Sequence, residues 1–415
     1  MTLLNLVLAL PAIPVLLAAS YLLLLTLFSR HPPPPRYGEP ALRFDMLVPA
    51  HDEEAGVART VQTLLAVDYP PELRRAVVVA DNCSDQTATR AAQAGAVVWE
   101  RHDPAERGKG YALAFGFDES LREGFADAVV VVDADTEVSP NLLRAFAGRL
   151  SAGARAVQAG SGVLNPRASW RTRLITVGLA LFNGLRSSAR ENLALSCGLR
   201  GNGMCLSRTV LLETPHRAFS RVEDLEYGIR LGETGIRVHY APEAVVKSEM
   251  VSSEQAARSQ RRRWEEGRAA LAKVHGPRLL SRALKKRDPV LLDLALDLLV
   301  PPLSLLAAAV AAGCGASLAA SFVVQRPLWG RVPWLLSALF MVLYVLRGVQ
   351  LSGVGLRGLA DLAWAPVYMA WKVTLLRGRT GSSTDWVRTA REASDNRMPT
   401  ARERGKPATE EPPRS

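Results

Sequence analysis

Two aspartates separated by one residue follow a short apolar run in the middle of the chain. The run from Ala128 to Val132 is too short for a helix and is β-branched over its last four positions, so it predicts a strand buried on both faces of a sheet. Asp133 and Asp135 come next, where the crevice of an open α/β sheet binds ligands. Paired carboxylates there suit Mg²⁺ or Mn²⁺ shared with a phosphate. A polar turn explains an isolated Asp-x-Asp equally well, so the rest of the chain must decide.

Two further groups of polar residues follow predicted strands nearer the amino end. The sequence VPAHDEEAG places Asp52 and Glu53 after the first strand, and ADNCSDQT places Asp81, Asn82 and Asp85 after the second. The carboxyl ends of parallel strands meet at one edge of a sheet, so these side chains are expected near the aspartate pair. Taken singly, each group is also typical of a helix N-terminus.

A basic stretch and a second acidic pair complete the candidate residues. In ERGKGYALAFGF, Arg107 and Lys109 offer two cations beside flexible backbone, ahead of a predicted helix, and this arrangement suits a diphosphate. It is not a P-loop, because GxxxxGK(S/T) is absent. Glu223 and Asp224 precede a short predicted helix in VEDLEYGIRLGETG. Adjacent acids at a helix start are often favoured only by the helix dipole.

Strand-like runs alternate with helical patterns through the central part of the chain. The predicted strands are Phe44–Pro49, Ala76–Ala80, Ala96–Glu100, Val129–Val132 and Ala154–Gln158. The predicted helices are Glu54–Ala66, Gln86–Ala94 and Gly110–Glu123, with a long basic helix at Ser252–Lys273. The alternation predicts an α/β domain with a mainly parallel sheet over residues 41–275.

The distribution of charge separates membrane segments from this domain. Apolar residues make up 48% of the 415 residues and charged residues 22%, yet residues 1–29 carry no charge. That segment is long enough to cross a bilayer. We expect a Pro-rich linker at 30–40, interfacial and transmembrane helices at 276–376, and a basic, partly disordered tail at 377–415.

Three apolar blocks follow the central domain. We expect an interfacial helix at 289–302 and spans at 303–324 and 334–351. An arginine-rich tail belongs on the cytoplasmic side, which two crossings satisfy and three do not. The last block, 359–376, is therefore predicted to lie in the interface.

The position of the basic residues indicates a membrane partner. The net charge is +11, and much of it flanks the apolar segments. Arg and Lys collect on the cytoplasmic side and against anionic lipids, so we predict a multi-pass protein of the cytoplasmic (inner) membrane with its central domain in the cytoplasm. The same distribution argues against nucleic acid as a partner. The four cysteines form no CxxC pair, which fits a reducing compartment.

A further motif, QRRRW from Gln260 to Trp264, follows the second acidic pair. Taken in order, these motifs resemble the membrane-bound branch of glycosyltransferase family 2, which includes cellulose, hyaluronan and poly-N-acetylglucosamine synthases. The resemblance covers roughly residues 44–270. It implies a GT-A type fold, a nucleotide-sugar donor that is commonly a UDP-sugar, and Mg²⁺ or Mn²⁺ as cofactor.

The resemblance also implies a role for each candidate residue. Asp81 would hold the base of the nucleotide, Asp133 and Asp135 would bind the nucleotide and its metal ion, and Asp224 would be the general base. Arg263 would meet the diphosphate, and it joins Asp52, Glu53 and Lys109, which their positions already make donor-binding candidates. The acceptor site would be formed by Glu223, Gln260, Trp264 and the segment Gly201–Arg208.

The chemistry of these residue types agrees with that assignment. A cation and Arg stabilise the charge of a departing nucleoside diphosphate, and one carboxylate can deprotonate the acceptor hydroxyl. A single displacement inverts the anomeric carbon. Two positions depart from the pattern of many relatives, which have Thr where this chain has Val222 and Asn where it has Ala114.

Several alternatives remain at the level of sequence. The acceptor would be either a polysaccharide or a lipid that receives a single sugar. A polysaccharide would also call for export or assembly partner proteins. The domain would otherwise be a catalytically inactive module that senses nucleotide-sugars. A nucleotidyltransferase is disfavoured, because its glycine-rich, arginine-containing loop is expected after the first strand, where this chain has HDEEAG.

Overall fold

The computed structural model describes residues 2–250, 254–324 and 329–364, with the backbone alone at residues 2, 254–263 and 356. The side chains of Gln260 and Arg263 therefore lie outside the described residues. So do the tail at 377–415 and most of the predicted interfacial segment at 359–376.

Eight strands form one mixed sheet. They are β1 (Phe44–Ala50), β2 (Arg74–Asp81), β3 (Val97–Arg101), β4 (Ala128–Val131), β5 (Thr136–Val138), β6 (Ala156–Val163), β7 (Met204–Ser207) and β8 (Val238–Ser248). Their order across the sheet is β3-β2-β1-β4-β7-β6-β8-β5. The first four are parallel, β7 runs antiparallel to both β4 and β6, β6 and β8 are parallel, and β5 is antiparallel to β8. The α/β prediction is confirmed.

Fifteen α-helices lie in the described part of the chain. Those of the central domain are α3 (Val57–Leu65), α4 (Thr87–Gln93), α5 (Lys109–Glu123), α6 (Leu142–Ser151), α7 (Trp170–Leu179), α8 (Arg186–Asn192), α9 (Arg208–Glu213) and α10 (Glu223–Glu233). The others are α1 (Thr2–Ala9), α2 (Ala12–Leu27), α11 (Glu254–Lys286), α12 (Pro289–Leu299), α13 (Leu303–Val324), α14 (Val332–Ser352) and α15 (Gly355–Asp361).

The central strands are covered on both faces, which explains their continuous apolar sequences. On one face, Met46 of β1 lies in the same core as Phe146 of α6. On the other, Leu47 lies in a core with Leu113 of α5 and Tyr227 of α10. Because α5 and α10 are anchored by these apolar side chains, their amino ends are held at the carboxyl edge of the parallel strands.

The predicted helix Glu54–Ala66 begins later than expected, at Val57. The preceding residues form a turn in which Asp52 has a positive φ of 52°. The backbone N–H of Glu53 donates to Thr87 Oγ1 at 2.8 Å. These acids therefore belong to the loop at the sheet edge rather than to the helix.

The apolar N-terminal segment is bent, whereas one straight span was expected. Its two helices, Leu3–Ala9 and Ala12–Leu27, meet at an angle of 41°. Pro11 lies at the break, where it lacks an N–H and crowds the preceding turn. In the described residues, two helices are long and apolar enough to cross a membrane by length and composition, Leu303–Val324 and Trp329–Ser352, or three spans if the bent pair counts as one.

A continuous helical segment joins the central domain to the apolar helices. It consists of α7, a π-helical turn at Ala180–Leu185, and α8. Leu181 and Leu185 of this segment share an apolar core with Leu22 of α2 and Met341 of α14. The central domain and the apolar helices are therefore packed together.

Buried ion pairs reinforce this junction. Arg190 Nε of α8 donates to Asp293 Oδ2 of α12 at 2.8 Å, and Arg186 Nη1 donates to Asp297 Oδ1 at 3.0 Å. The Tyr21 hydroxyl donates to Asp293 Oδ1 at 2.8 Å. The two aspartates of the predicted interfacial helix thus face protein arginines.

Candidate active site

Four charged side chains meet at the carboxyl edge of the parallel strands. Asp133 follows β4, Lys109 is the first residue of α5, and Glu223 and Asp224 open α10. Lys109 Nζ lies 2.5 Å from Asp133 Oδ1 and 3.8 Å from Glu223 Oε1. One ammonium group therefore connects the predicted metal-binding acid to the predicted catalytic pair.

A glycine-containing loop closes this cluster. The Gly201 carbonyl accepts a hydrogen bond from Lys109 Nζ at 2.8 Å. Gly201 has a φ of 74°, and a Cβ built there would lie 3.2 Å from Asp224 Oδ2. Both the backbone conformation and the available space therefore favour glycine. Asn202 Oδ1 accepts from the backbone N–H of Asp133 at 3.2 Å, so the loop also holds the end of β4.

Burial sets the proton affinity of the acidic pair. It raises the pKa of Glu223 to about 7, with the Asp224 and Asp133 charges adding to the rise and Lys109 opposing it. Burial likewise raises the pKa of Asp224, again against the effect of Lys109. For Lys109, burial alone would lower the pKa, but Asp133 and Glu223 outweigh it and the pKa rises. The lysine therefore stays charged, and Asp224 is a more basic carboxylate than a solvated one.

Asp133 and Asp135 offer ligands appropriate to the predicted cation. The Asp133 side chain is 36% exposed, and Thr136 Oγ1 donates to Asp135 Oδ1 at 3.3 Å. Carboxylate oxygens are preferred ligands of Mg²⁺ and Mn²⁺. The ammonium of Lys109 on Asp133 shows that this position already attracts a cation. The residues present fit a divalent ion.

A second group of possible ligands lies after β1 and β2. Oxygen and sulphur atoms of Asp52, Cys83 and Asp85 all lie within 4.8 Å of one another. Burial raises the pKa of Cys83 to about 11, so the sulphur remains a thiol, which is a poor metal ligand. Asp52 Oδ1 also accepts from the backbone N–H of Ser84 at 2.7 Å. These contacts join the loops after β1 and β2, and this structural role explains why the three side chains lie together.

Asp81 lies at the end of β2 and is 1% exposed. Arg101 Nη1 of β3 donates to its Oδ1 at 2.8 Å. Its Oδ2 is buried without a hydrogen-bond partner among the residues that the structure describes, and the same holds for Asn82 Nδ2. A buried acceptor next to a buried amide donor matches the hydrogen-bonding edge of a nucleobase.

The basic helix α11 runs beside the acidic pair. A Cβ built at Gly267 would lie 2.9 Å from Cγ1 of Val222, the residue before Glu223. Arg221 Nη1 lies 3.5 Å from Glu266 Oε2. Trp264, one turn earlier on the helix, is 46% exposed. The helix that carries QRRRW is thus adjacent to α10.

The structure adds residues that the sequence interpretation did not single out. Arg101 is the partner of Asp81, and a lone arginine at a strand end carries no local signal. Asn202 lies within the predicted acceptor segment Gly201–Arg208 but was not named by itself; it stands between two glycines with positive φ, and that GNG pattern is its signal. Arg200, the residue before Gly201, had no such signal.

The mixed sheet, with acids along the carboxyl edge of its parallel strands, defines a GT-A type glycosyltransferase domain. The chain belongs to the glycosyltransferase like family 2, whose family model matches residues 40–267. The family match assigns residues 40–267 to a glycosyltransferase domain.

Two curated relatives and one solved structure are similar to this chain. A probable glycosyltransferase, YdaM of Bacillus subtilis (strain 168), is 25% identical over 54% of this chain and 55% of its own length. The beta-monoglucosyldiacylglycerol synthase of Synechocystis sp. is 29% identical over 54% of this chain and 47% of its own. The chain thus spans about half the length of these relatives.

The mannosyltransferase PcManGT from Pyrobaculum calidifontis, solved in complex with GDP-Man and Mn²⁺, has a similar fold. The TM-score is 0.50 at 18% identity, and the match covers 82% of this chain and 98% of that one. At this identity the likeness supports the fold alone.

Proposed function

We propose that the protein is an inverting, metal-dependent glycosyltransferase of the cytoplasmic membrane that uses a UDP-sugar and adds the sugar to an acceptor held at the membrane surface. The observation that carries this proposal is the cluster in which Lys109 joins Asp133 to Glu223, the neighbour of Asp224. It brings a donor-binding acid and a basic carboxylate to one place.

Asp224 acts as the general base in this proposal. Its carboxylate takes the proton of the acceptor hydroxyl, the hydroxyl oxygen bonds to the anomeric carbon, and the bond from that carbon to the diphosphate breaks with its electron pair. Burial favours the protonated product of this step, because it raises the pKa of Asp224. Attack opposite the leaving group gives a β-linked product from an α-linked donor.

The donor lies along the carboxyl edge of the parallel strands. Asp81 and Asn82 receive the base, and Lys109 and Arg263 meet the diphosphate, with Asp52 and Glu53 in the adjoining loop. Asp133 and Asp135 hold Mg²⁺ or Mn²⁺, which when bound neutralises charge on the leaving diphosphate.

The acceptor site is formed by Glu223, Gln260, Trp264 and the segment Gly201–Arg208. The open alternatives are a growing saccharide, as in the polymer synthases that the chain resembles, and a lipid that receives one sugar. The apolar helices favour the lipid. Two or three spans among the described residues are too few to enclose a polymer channel without an export partner.

A cavity at the junction with the apolar helices supports the same choice. Its volume is about 640 Å³, and its lining includes Leu179, Val245 and Leu351 together with Arg167 and Lys247. Apolar walls with basic residues suit a lipid and its headgroup. The predicted segments at 1–29, 30–40, 276–376 and 377–415 would then serve to hold the domain 41–275 at the cytoplasmic face.

The decisive experiment measures nucleotide release by the full-length protein in lipid nanodiscs. UDP-glucose, UDP-galactose, UDP-N-acetylglucosamine and GDP-mannose are offered with Mn²⁺, with Mg²⁺ or with a chelator. We expect turnover of a UDP-sugar that the chelator abolishes, and a lipid-soluble product carrying one sugar. A water-soluble polymer would instead show processive synthesis.

Asp224→Asn tests the assigned base. We expect it to lower kcat by about a hundredfold or more, because a positioned base contributes that much. Asp118→Asn is the control, since Asp118 is exposed on α5. Activity of the Asp224 variant near wild type would contradict the assignment. Binding of a nucleotide-sugar with no turnover by the wild type would favour a sensing module.

A further inference from the structure

Three arginines surround one aromatic ring between the candidate active site and the apolar helices. The guanidinium carbon lies 4.9 Å from the centre of the Phe182 ring for Arg186, 4.7 Å for Arg200 and 5.4 Å for Arg268. Phe182 belongs to the π-helical turn, an irregularity that often marks functional positions. We call Arg200, Arg268 and Phe182 the arginine pocket.

The carboxylates near these arginines are already paired. Asp293 is bonded to Arg190 at 2.8 Å. Asp297 lies 3.0 Å from Arg186, 2.8 Å from Arg190 and 3.9 Å from Arg268. With Arg200 included, and with Asp224 counted because it attracts Arg200, four guanidinium groups share three carboxylates within the described part of the structure. Arg268 also donates to the Asp297 carbonyl, so the least compensated of the four is Arg200.

Within the part of the chain that the structure describes, the guanidinium group of Arg200 lacks both a close counter-charge and a full set of hydrogen bonds. Its Nη2 donates to the Cys197 carbonyl at 3.0 Å, while its Nε is buried without a hydrogen-bond partner among the described residues. Burial lowers the pKa of Arg200 in spite of the attraction of Asp297 and Asp224, and burial lowers the pKa of Arg268 as well. A buried guanidinium group that lacks a counter-charge is costly. A cation–π contact does not neutralise it.

Both arginines are next to residues that lie against the acidic pair or against the residue before it. Arg200 precedes Gly201, whose built Cβ would lie 3.2 Å from Asp224 Oδ2. Arg268 follows Gly267, which packs against Val222. An anion in the arginine pocket would therefore lie close to a hydroxyl positioned at Asp224.

We propose that the arginine pocket binds a phosphate group carried by the acceptor, so that the acceptor is a phosphate-bearing lipid with its reacting hydroxyl at Asp224. Guanidinium groups bind phosphate through paired, charge-assisted hydrogen bonds. The donor diphosphate has its own cations in Lys109 and the metal site. This inference rests on the proposed function and adds the class of acceptor to it.

Binding of dihexanoyl phosphatidic acid to the full-length protein in a neutral detergent tests the proposal. Titration calorimetry compares wild type, Arg200→Gln, Arg268→Gln and, as the control, Arg122→Gln, whose side chain is 69% exposed on α5. Each pocket variant is expected to bind at least about tenfold more weakly, as loss of a charge-assisted hydrogen bond predicts. Parallel titrations with inorganic phosphate and with UDP plus Mn²⁺ distinguish a lipid headgroup from a free phosphate and from the donor.

The outcomes are separable. Unchanged phosphatidic acid binding in both pocket variants overturns the proposal, as does a loss of UDP affinity that equals or exceeds the loss of lipid affinity. Binding of inorganic phosphate as tight as that of the lipid overturns the lipid part. Arg200→Lys keeps the charge and is expected to recover part of the binding, and melting curves show whether each variant is folded. Nucleotide release from UDP-sugars by the wild type in lipid nanodiscs is measured separately, so its absence would refute the proposed function rather than the pocket.

Discussion

Replacing Asp297 by Asn should loosen the junction between the catalytic domain and α12. The carboxylate lies 3.0 Å from Arg186 and 2.8 Å from Arg190, and its side chain is 8% exposed. Asparagine keeps the shape but removes the charge that these guanidinium groups share. The arginines would remain buried without it.

The expected loss is large because the pair is buried. Removing one partner of a buried ion pair costs about 3 to 5 kcal/mol, whereas an exposed pair contributes about 0 to 1 kcal/mol. The matched control is Asp68→Asn. Asp68 accepts from Arg144 Nε at 2.8 Å, but its side chain is 65% exposed. The same chemical change at similar distances therefore isolates the effect of burial.

Thermal unfolding of full-length protein in detergent, followed by circular dichroism, measures the difference. A melting temperature lower by about 5 °C is expected for Asp297→Asn, and little change for Asp68→Asn. Raising the salt concentration should leave the fall in melting temperature of Asp297→Asn nearly unchanged, because buried pairs are weakly screened. Equal shifts in the two variants, or none in Asp297→Asn, would refute the reasoning that burial makes this pair structural.

The remaining predictions concern the candidate active site. Glu223→Gln should flatten the pH dependence of stability: the folded-state pKa of about 7 lies above the ordinary 4.5, so the stabilising contribution is complete at low pH and is lost as the pH rises between these values. That loss amounts to about 3 kcal/mol, measured by melting ligand-free protein at about pH 5 and about pH 8, and parallel curves for variant and wild type would contradict it. Gly201→Ala and Gly153→Ala place alanine at φ of 74° and 95°, but no atom lies within 4 Å of a Cβ at Gly153. Both should cost about 1 to 3 kcal/mol of stability, and initial rates should show that only Gly201→Ala also lowers activity, by about tenfold or more. Arg101→Gln removes the partner of Asp81 and should raise KM for the nucleotide-sugar about tenfold with little change in kcat, whereas a fall in kcat alone would contradict a role in donor binding.

The parallel half of the sheet was predictable because its signals are local. The run before Asp133 is apolar at every position, as strands covered on both faces require, and β4 is found at Ala128–Val131. Parallel strands end at the same edge of the sheet, so the polar residues that follow them were expected to lie together at that edge. The meeting of Asp133 with Lys109 and Glu223 could therefore be expected from strand order and motif order together.

The antiparallel half and the turns carried weaker signals. The pairing of β5 with β8 joins residues more than a hundred positions apart, through a strand of only three residues. The bend at Pro11 was missed because composition alone described the segment as one apolar run. Proline marks the break, but its effect depends on the backbone on either side.

The charged residues of the apolar region show what sequence alone leaves out of the link between the apolar helices and the candidate site. Asp293 and Asp297, in an otherwise apolar helix, predict an amphipathic segment on the membrane surface. In the structure the side chains of both are 8% exposed or less and face Arg190 and Arg186, which lie about a hundred residues earlier in the chain. The same arginines continue the π-helical turn whose Phe182 contacts Arg200, the neighbour of the loop at Asp224. A network that fastens α12 to the central domain thus reaches Arg200, the neighbour of Gly201, which lies against Asp224, so a shift of the apolar helices would be transmitted to the loop beside Asp224.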